Sequence, residues 1–115
     1  MSRRDPQLPL LHMRDHAREA LDFASGRTRA DLDSDRMLTL ALVRLVEVIG
    51  EAAARVPAEV RTQHPQIPWQ QIVAMRNRLI HAYDQISLER LWEVVSSDLP
   101  ALVKELDQII AKLKS

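Results

Sequence analysis

The stretch LERLWEVVSSDLPALVKELDQIIAKL, Leu88 to Leu113, decides the fold. Leu88, Trp92, Val95, Leu99, Leu102, Leu106, Ile109 and Leu113 follow one another at alternating steps of four and three residues, which is the spacing of a helical seam that packs against other helices. A helix of this length with one apolar edge requires partners, so the rest of the chain is expected to supply a bundle. Pro100 falls inside the seam. It lacks an N–H and its ring crowds the preceding turn, so the pattern predicts a kink there, or a restart capped by Asp98.

Working back from this stretch, Ser87 is placed to cap its first turn. Leu10, Met13, Ala17, Leu21 and Ala24 give a first helix over about Pro6 to Ser25, stopped by Gly26. After a loop from Arg27 to Leu32, Ser34 is expected to cap a second helix that continues to Arg55, where Pro57 prevents extension. In this helix Arg44, Glu47, Glu51 and Arg55 form a narrow polar stripe, and apolar residues cover most of the remaining circumference. An apolar arc that wide calls for neighbours on more than one side, one of which could be a second subunit. Pro57 to Pro68 reads as a short helical turn with its connection, and Trp69 to about Tyr83 as a third helix. The expected fold is all-α: an antiparallel four-helix up-and-down bundle with a short extra helical turn, in one domain spanning residues 1–115.

Composition supports that reading. Apolar residues make up 46% and charged residues 28% of the 115, yet aromatics are 3% and glycine occurs twice, which favours helices over sheets. The absence of cysteine excludes disulfides, thiolate metal sites and cysteine nucleophiles. The start Met-Ser-Arg-Arg-Asp-Pro has no apolar signal-peptide core, and no apolar run reaches membrane-spanning length, so a cytoplasmic protein is expected.

The net charge is zero, but its distribution is uneven. Val60 to Tyr83 contains no Asp or Glu, while it holds Arg61, Arg76, Arg78, His64 and His81. Such a local surplus of cations suits a polyanion. Within it, Met75-Arg76-Asn77-Arg78-Leu79-Ile80-His81-Ala82-Tyr83 gathers two arginines, an amide, an imidazole and the chain's one tyrosine. On an ideal helix Asn77 and His81 share a face, whereas Arg76 and His81 stand about 140° apart. The pair therefore converges at a helix end or across a dimer interface.

These residue types suit phosphodiester cleavage in RNA. A histidine, with an ordinary pKa of about 6.5, can exchange a proton with the 2′-OH or the leaving 5′-oxygen near neutrality. Arginine stays charged and can clamp the phosphate with two parallel hydrogen bonds. Asn77 could orient His81, and Arg78 could extend the phosphate track. Helix-borne Arg, Asn and His are commonly solvated or ion-paired, but a structural arginine pair would have carboxylates three or four residues away, and the sequence offers none.

Read as Arg-x4-His-x-Tyr with Asn after the arginine, the motif resembles that of the HEPN ribonucleases, in their HepT-like toxin branch. The similarity extends to Ile49-Gly50-Glu51-Ala52-Ala53, Pro68-Trp69, Leu91-Trp92 and Leu99-Pro100-Ala101-Leu102. This resemblance implies a small helical homodimer acting as a metal-independent endoribonuclease without a cofactor, with Arg76 and His81 as the catalytic pair and Asn77 beside them. It also implies a toxin-antitoxin pairing with a minimal nucleotidyltransferase that adenylylates Tyr83. A bulky anionic group at Tyr83 would block the cleft and repel phosphate. The alternative is a non-catalytic helical module binding a nucleotide or a protein partner through the same groove.

Lesser signals have plainer readings. His12 and His16 lie one helical turn apart near Asp15 and Glu19, a spacing that suits a metal but more often marks solvated residues. Trp69 and Trp92 are expected as bundle anchors rather than base-stacking platforms.

Overall fold

The computed structural model describes residue 5 and residues 7–75 and 87–114. Among them there is no strand, and the order of elements is α1 (Leu8–Ala24), α2 (Asp31–Ser34), α3 (Arg36–Ala54), α4 (Ala58–Gln63), α5 (Trp69–Val73), α6 (Leu88–Glu93), a π-helical turn (Val94–Asp98) and α7 (Leu99–Lys114). The fold is all-α, as the spacing of apolar residues predicts.

In α1 the buried residues are Leu10, Met13, Ala17 and Ala20, a strict three-four-three repeat, with Leu21 and Ala24 half-buried beside them. The alanines bring α1 close to both α3 and α7, the two helices it packs against. Gly26 adopts φ 75°, in the left-handed region where a side chain would be strained, and turns the chain after α1 as expected. The Arg27 amide donates to the Ala24 carbonyl at 3.0 Å. Arg18 adds a two-pronged ion pair to Asp107 of α7, both contacts at 2.8 Å. At this exposure it contributes about 0–1 kcal/mol.

The start of the second long helix differs from expectation. Residues 31–34 form a separate turn, α2, and the cap of α3 is Asp35, whose Oδ1 accepts from the Leu38 amide at 3.0 Å. Ser34 instead donates its hydroxyl to the Asp31 carbonyl. Both are good caps by type, and the α2 turn decides between them by committing Ser34 to the preceding carbonyl. Thr39, the one buried polar side chain among the described residues, is satisfied by donating to the Leu32 carbonyl at 2.8 Å, tying α3 to α2.

Buried residues of α3 run from Leu38 through Leu42, Val46, Ile49 and Ala53. The polar stripe on its other side includes an ion pair between Arg44 and Glu47 at 3.8 Å. Next to it Met37 is 83% exposed and Leu40 is exposed too, so part of the apolar surface stays uncovered by the chain itself.

The last helical stretch is continuous across Pro100 but is not a simple α-helix. The Leu99 amide donates five residues back to the Val94 carbonyl, which makes Val94–Asp98 a π turn. An α-helical continuation would press the Pro100 ring on the Ser96 carbonyl, and the extra residue in the turn relieves that crowding. Asp98 lies within this turn and does not cap a restart, contrary to the sequence expectation. The insertion also shifts the seam. Leu91, Val94 and Val95 are fully buried ahead of Leu99, Trp92 is half-buried, and Leu113 is exposed.

Gly50 lets α3 approach α5 closely. A Cβ there would stand 3.1 Å from the Ile72 carbonyl oxygen and 3.6 Å from that of Val73. Backbone cannot swing away as a side-chain tip can. Gly50→Val is therefore expected to destabilise the fold by about 1–3 kcal/mol, read as a lower urea midpoint at unchanged slope.

Candidate functional site

The motif residues Arg76, Asn77, Arg78, His81 and Tyr83 lie outside the described residues. The structure defines the two ends that hold this segment. On its N-terminal side, Pro68 precedes α5, and Trp69 is buried with its indole N–H donating to the His64 carbonyl at 2.9 Å. Trp69 is thus an anchor of the bundle, as its place in the sequence suggests. Ile72 and Met75 are buried behind it, so the residue bonded directly to Arg76 is fixed in the core.

On the C-terminal side Ser87 caps α6, its hydroxyl oxygen accepting from the Arg90 amide at 3.2 Å. Arg29 reaches across to Glu89, with Nε to Oε1 at 2.8 Å, while also pairing with Asp33 at 2.9 Å. The bond to Glu89, first, and that to Asp33 raise the Arg29 pKa above its usual value. The α2 turn and the start of α6 are joined by these contacts. Arg90 pairs with Glu93 on the same helix.

Of the cations in the carboxylate-free stretch, Arg61 is accounted for structurally. Its guanidinium donates to the Val56 carbonyl at 3.1 Å and the Ala54 carbonyl at 3.0 Å. The Ala54 carbonyl is one that the end of α3 leaves without an internal partner, and Val56 lies just beyond it, so Arg61 acts as a C-terminal cap. The sequence could have suggested this, since arginine soon after a helix end is a common solution to that deficit.

A groove of about 210 Å³ opens between α5 with its preceding loop and the π turn with the first turns of α7. Met75 forms part of its wall, which places the groove directly beside the start of the motif. Residue spacing does not reveal this groove, because it is partly lined by the π turn. A wider, more open cleft of about 650 Å³ carries Asp5, His12, Arg55 and Glu59 and none of the residues that flank the motif.

The His12 and His16 pair is engaged locally. His16 Nδ1 lies 2.8 Å from the His12 carbonyl, to which it donates, and the two rings meet edge to face with centroids 6.3 Å apart. No group of three His, Cys, Asp or Glu suited to a metal occurs among the described residues. Nor is any helix among them long and apolar enough to cross a membrane.

Because the Ser87 cap holds the C-terminal flank, Ser87→Ala is expected to cost about 1 kcal/mol in urea unfolding, with Ser87→Asp retaining most of the stability.

Comparison with known proteins places this arrangement in a family. The family model for HepT-like ribonucleases matches residues 13–109, a span that includes both flanks and the motif between them. A protein of Caldanaerobacter subterraneus subsp. tengcongensis, provisionally named as an RNase, is 34% identical over 109 residues, covering 95% of this chain and 97% of its own. A similarly named protein of Methanocaldococcus jannaschii is 30% identical over 114 residues, covering 99% and 94%. The probable ribonuclease HepT of Thermococcus cleftensis is 34% identical over 95 residues, covering 79% and 86%. No solved structure matches the chain. With the motif and both of its flanks inside the matched span, the chain belongs to the HepT-like ribonuclease family.

Proposed function

We propose that this protein is a metal-independent endoribonuclease that cuts RNA through Arg76 and His81. The observation that carries the reading is the family match over residues 13–109, which encloses a segment whose residue types suit phosphodiester cleavage. The 2′-oxygen attacks the adjacent phosphorus as its proton passes to a basic imidazole. The bond from phosphorus to the 5′-oxygen breaks, and that oxygen receives a proton. The products are a 2′,3′-cyclic phosphate and a free 5′-OH, with no water, metal or cofactor consumed. His81 moves the protons, and Arg76 meets the charge that grows on the non-bridging oxygens. Asn77 orients the imidazole, and Arg78 binds a neighbouring phosphate.

The functional unit is a homodimer whose two motifs face one shared cleft. Two features support this: the about 140° between Arg76 and His81 on an ideal helix, and the apolar residues Met37 and Leu40 left exposed on α3. In the cytoplasm the protein acts as the toxin of a toxin-antitoxin pair, neutralised by a minimal nucleotidyltransferase that adenylylates Tyr83. An AMP group two residues from His81 would add bulk and negative charge where phosphate must enter.

The test is cleavage of labelled RNA in EDTA by mass-verified, unmodified protein. The parent is expected to cut and leave cyclic phosphate ends. His81→Ala and Arg76→Ala should each lose at least about a hundredfold in rate, with unchanged helical content. Full activity in either variant would remove that residue from the mechanism, and a parent that is silent on several RNA classes would overturn the nuclease reading.

A further inference from the structure

The groove beside Met75 has a chemistry that the cleavage mechanism does not use. Its floor is apolar, formed by Ile72, Met75, Val94 and Leu102. Its rim carries Gln66 and Gln71 on one side and Asp98 and Glu105 on the other. Asp98 and Glu105 are seven residues apart, two turns along one face. Among the described residues, neither carboxylate nor either of the two glutamine amides makes a side-chain hydrogen bond or ion pair. Arg90, also on the rim, is paired with Glu93. The cavity, about 210 Å³, is below the range of about 300–1,000 Å³ typical of drug-sized ligands and suits one small planar group.

Building on the ribonuclease reading, we infer that this groove is a base-specificity pocket that takes a guanine of the RNA next to the cut. An unstacked base needs an apolar surface for its ring and polar groups for its edge, and the floor and rim divide in that way. Carboxylates accept hydrogen bonds and donate none when ionised, so the rim selects for an edge rich in donors. Guanine presents N1–H and the N2 amine side by side, which match the two oxygens of one carboxylate. Uracil offers a single N–H between two carbonyls, which would face the carboxylate oxygens unfavourably. The carboxylates also repel phosphate, so the pocket receives the base and turns the backbone away.

Position supports the assignment as strongly as chemistry. Met75 in the wall is bonded directly to Arg76, so a base held here belongs to a nucleotide at or adjacent to the scissile phosphate. Val94, Ser97 and Asp98 of the lining all come from the π turn, a feature that recurs at functional sites.

Binding of short 2′-fluoro RNAs, which lack the attacking hydroxyl, tests the pocket without cleavage. The probes are hexamers identical except that one guanine is replaced by inosine, which lacks the N2 amine, or by uracil. The guanine hexamer is expected to bind about tenfold more tightly than either. The double variant Asp98→Asn with Glu105→Gln should abolish that preference, as should Ala101→Trp, which fills the groove. Equal binding of all three hexamers, or a preference that survives both variants, would overturn the pocket. Loss of a dimer in light scattering with Ala101→Trp would also overturn it, marking the groove as a protein interface instead. Cleavage of ordinary RNA by the parent, followed in parallel, separates the two claims. Cutting without guanine-selective binding sinks the pocket alone, and selective binding without cutting sinks the nuclease reading alone.

Discussion

The contact on which the site depends is between Gly50 and the backbone of α5. A hydrogen in place of a side chain lets α3 approach the Ile72 and Val73 carbonyls to a distance at which a Cβ would already be crowded. Ile72, in α5, and Met75, just after it, are buried beside this approach. Glycine within a helix costs roughly 0.5–1 kcal/mol relative to alanine, so its use here is offset by close packing that a larger residue would prevent. The same position lies in the Ile-Gly-Glu-Ala-Ala run that carries part of the resemblance to the HepT-like proteins, which gives that short sequence a physical meaning.

The C-terminal flank is held by different forces. Where α5 is fixed by packing, α6 is fixed by polar contacts: the Ser87 cap and the Arg29 to Glu89 pair. These are exposed and individually weak, typically about 1 kcal/mol or less. One flank of the motif is thus held by buried packing and the other by exposed polar contacts.

Much of the fold was legible in the residues because helices announce themselves by spacing. The C-terminal ends of α1 and α3, the Gly26 stop, the Ser87 cap and the short helix among the prolines all follow from local rules that the tertiary structure did not override. Where expectation and structure part, the cause is a competition that spacing cannot rank. Ser34 and Asp35 are both capable caps, and the α2 turn settles the choice by engaging the Ser34 hydroxyl. Pro100 signals a disturbance, but whether the helix breaks or widens depends on how Leu91, Val94 and Leu99 pack, and burial of all three favours the continuous, widened form. The chemistry assigned to the motif is a reading of residue types, and its residues lie outside those described. The groove beside Met75 was not legible in the spacing, since it arises from the π turn and from two elements some twenty-five residues apart.

Charge shows why a neutral total conceals a divided protein. Most arginines in the described part have assigned work: Arg18 bridges α1 to α7, Arg29 bridges α2 to α6, and Arg61 closes the carbonyl end of α3. Arg61 illustrates how misleading a local count can be, because its charge lies within the basic stretch but is spent on backbone carbonyls. Subtracting it leaves Arg76 and Arg78 as the arginines of that stretch, two residues apart and without a carboxylate within seven positions in the preceding chain. The acidic residues lie on either side of that stretch in the sequence, and two of them, Asp98 and Glu105, stand on the groove rim. On the proposed reading such a division has a use in binding RNA: Arg76 and Arg78 would attract the phosphates while the carboxylates of the groove discourage them from entering there, so the base rather than the backbone is received by the groove.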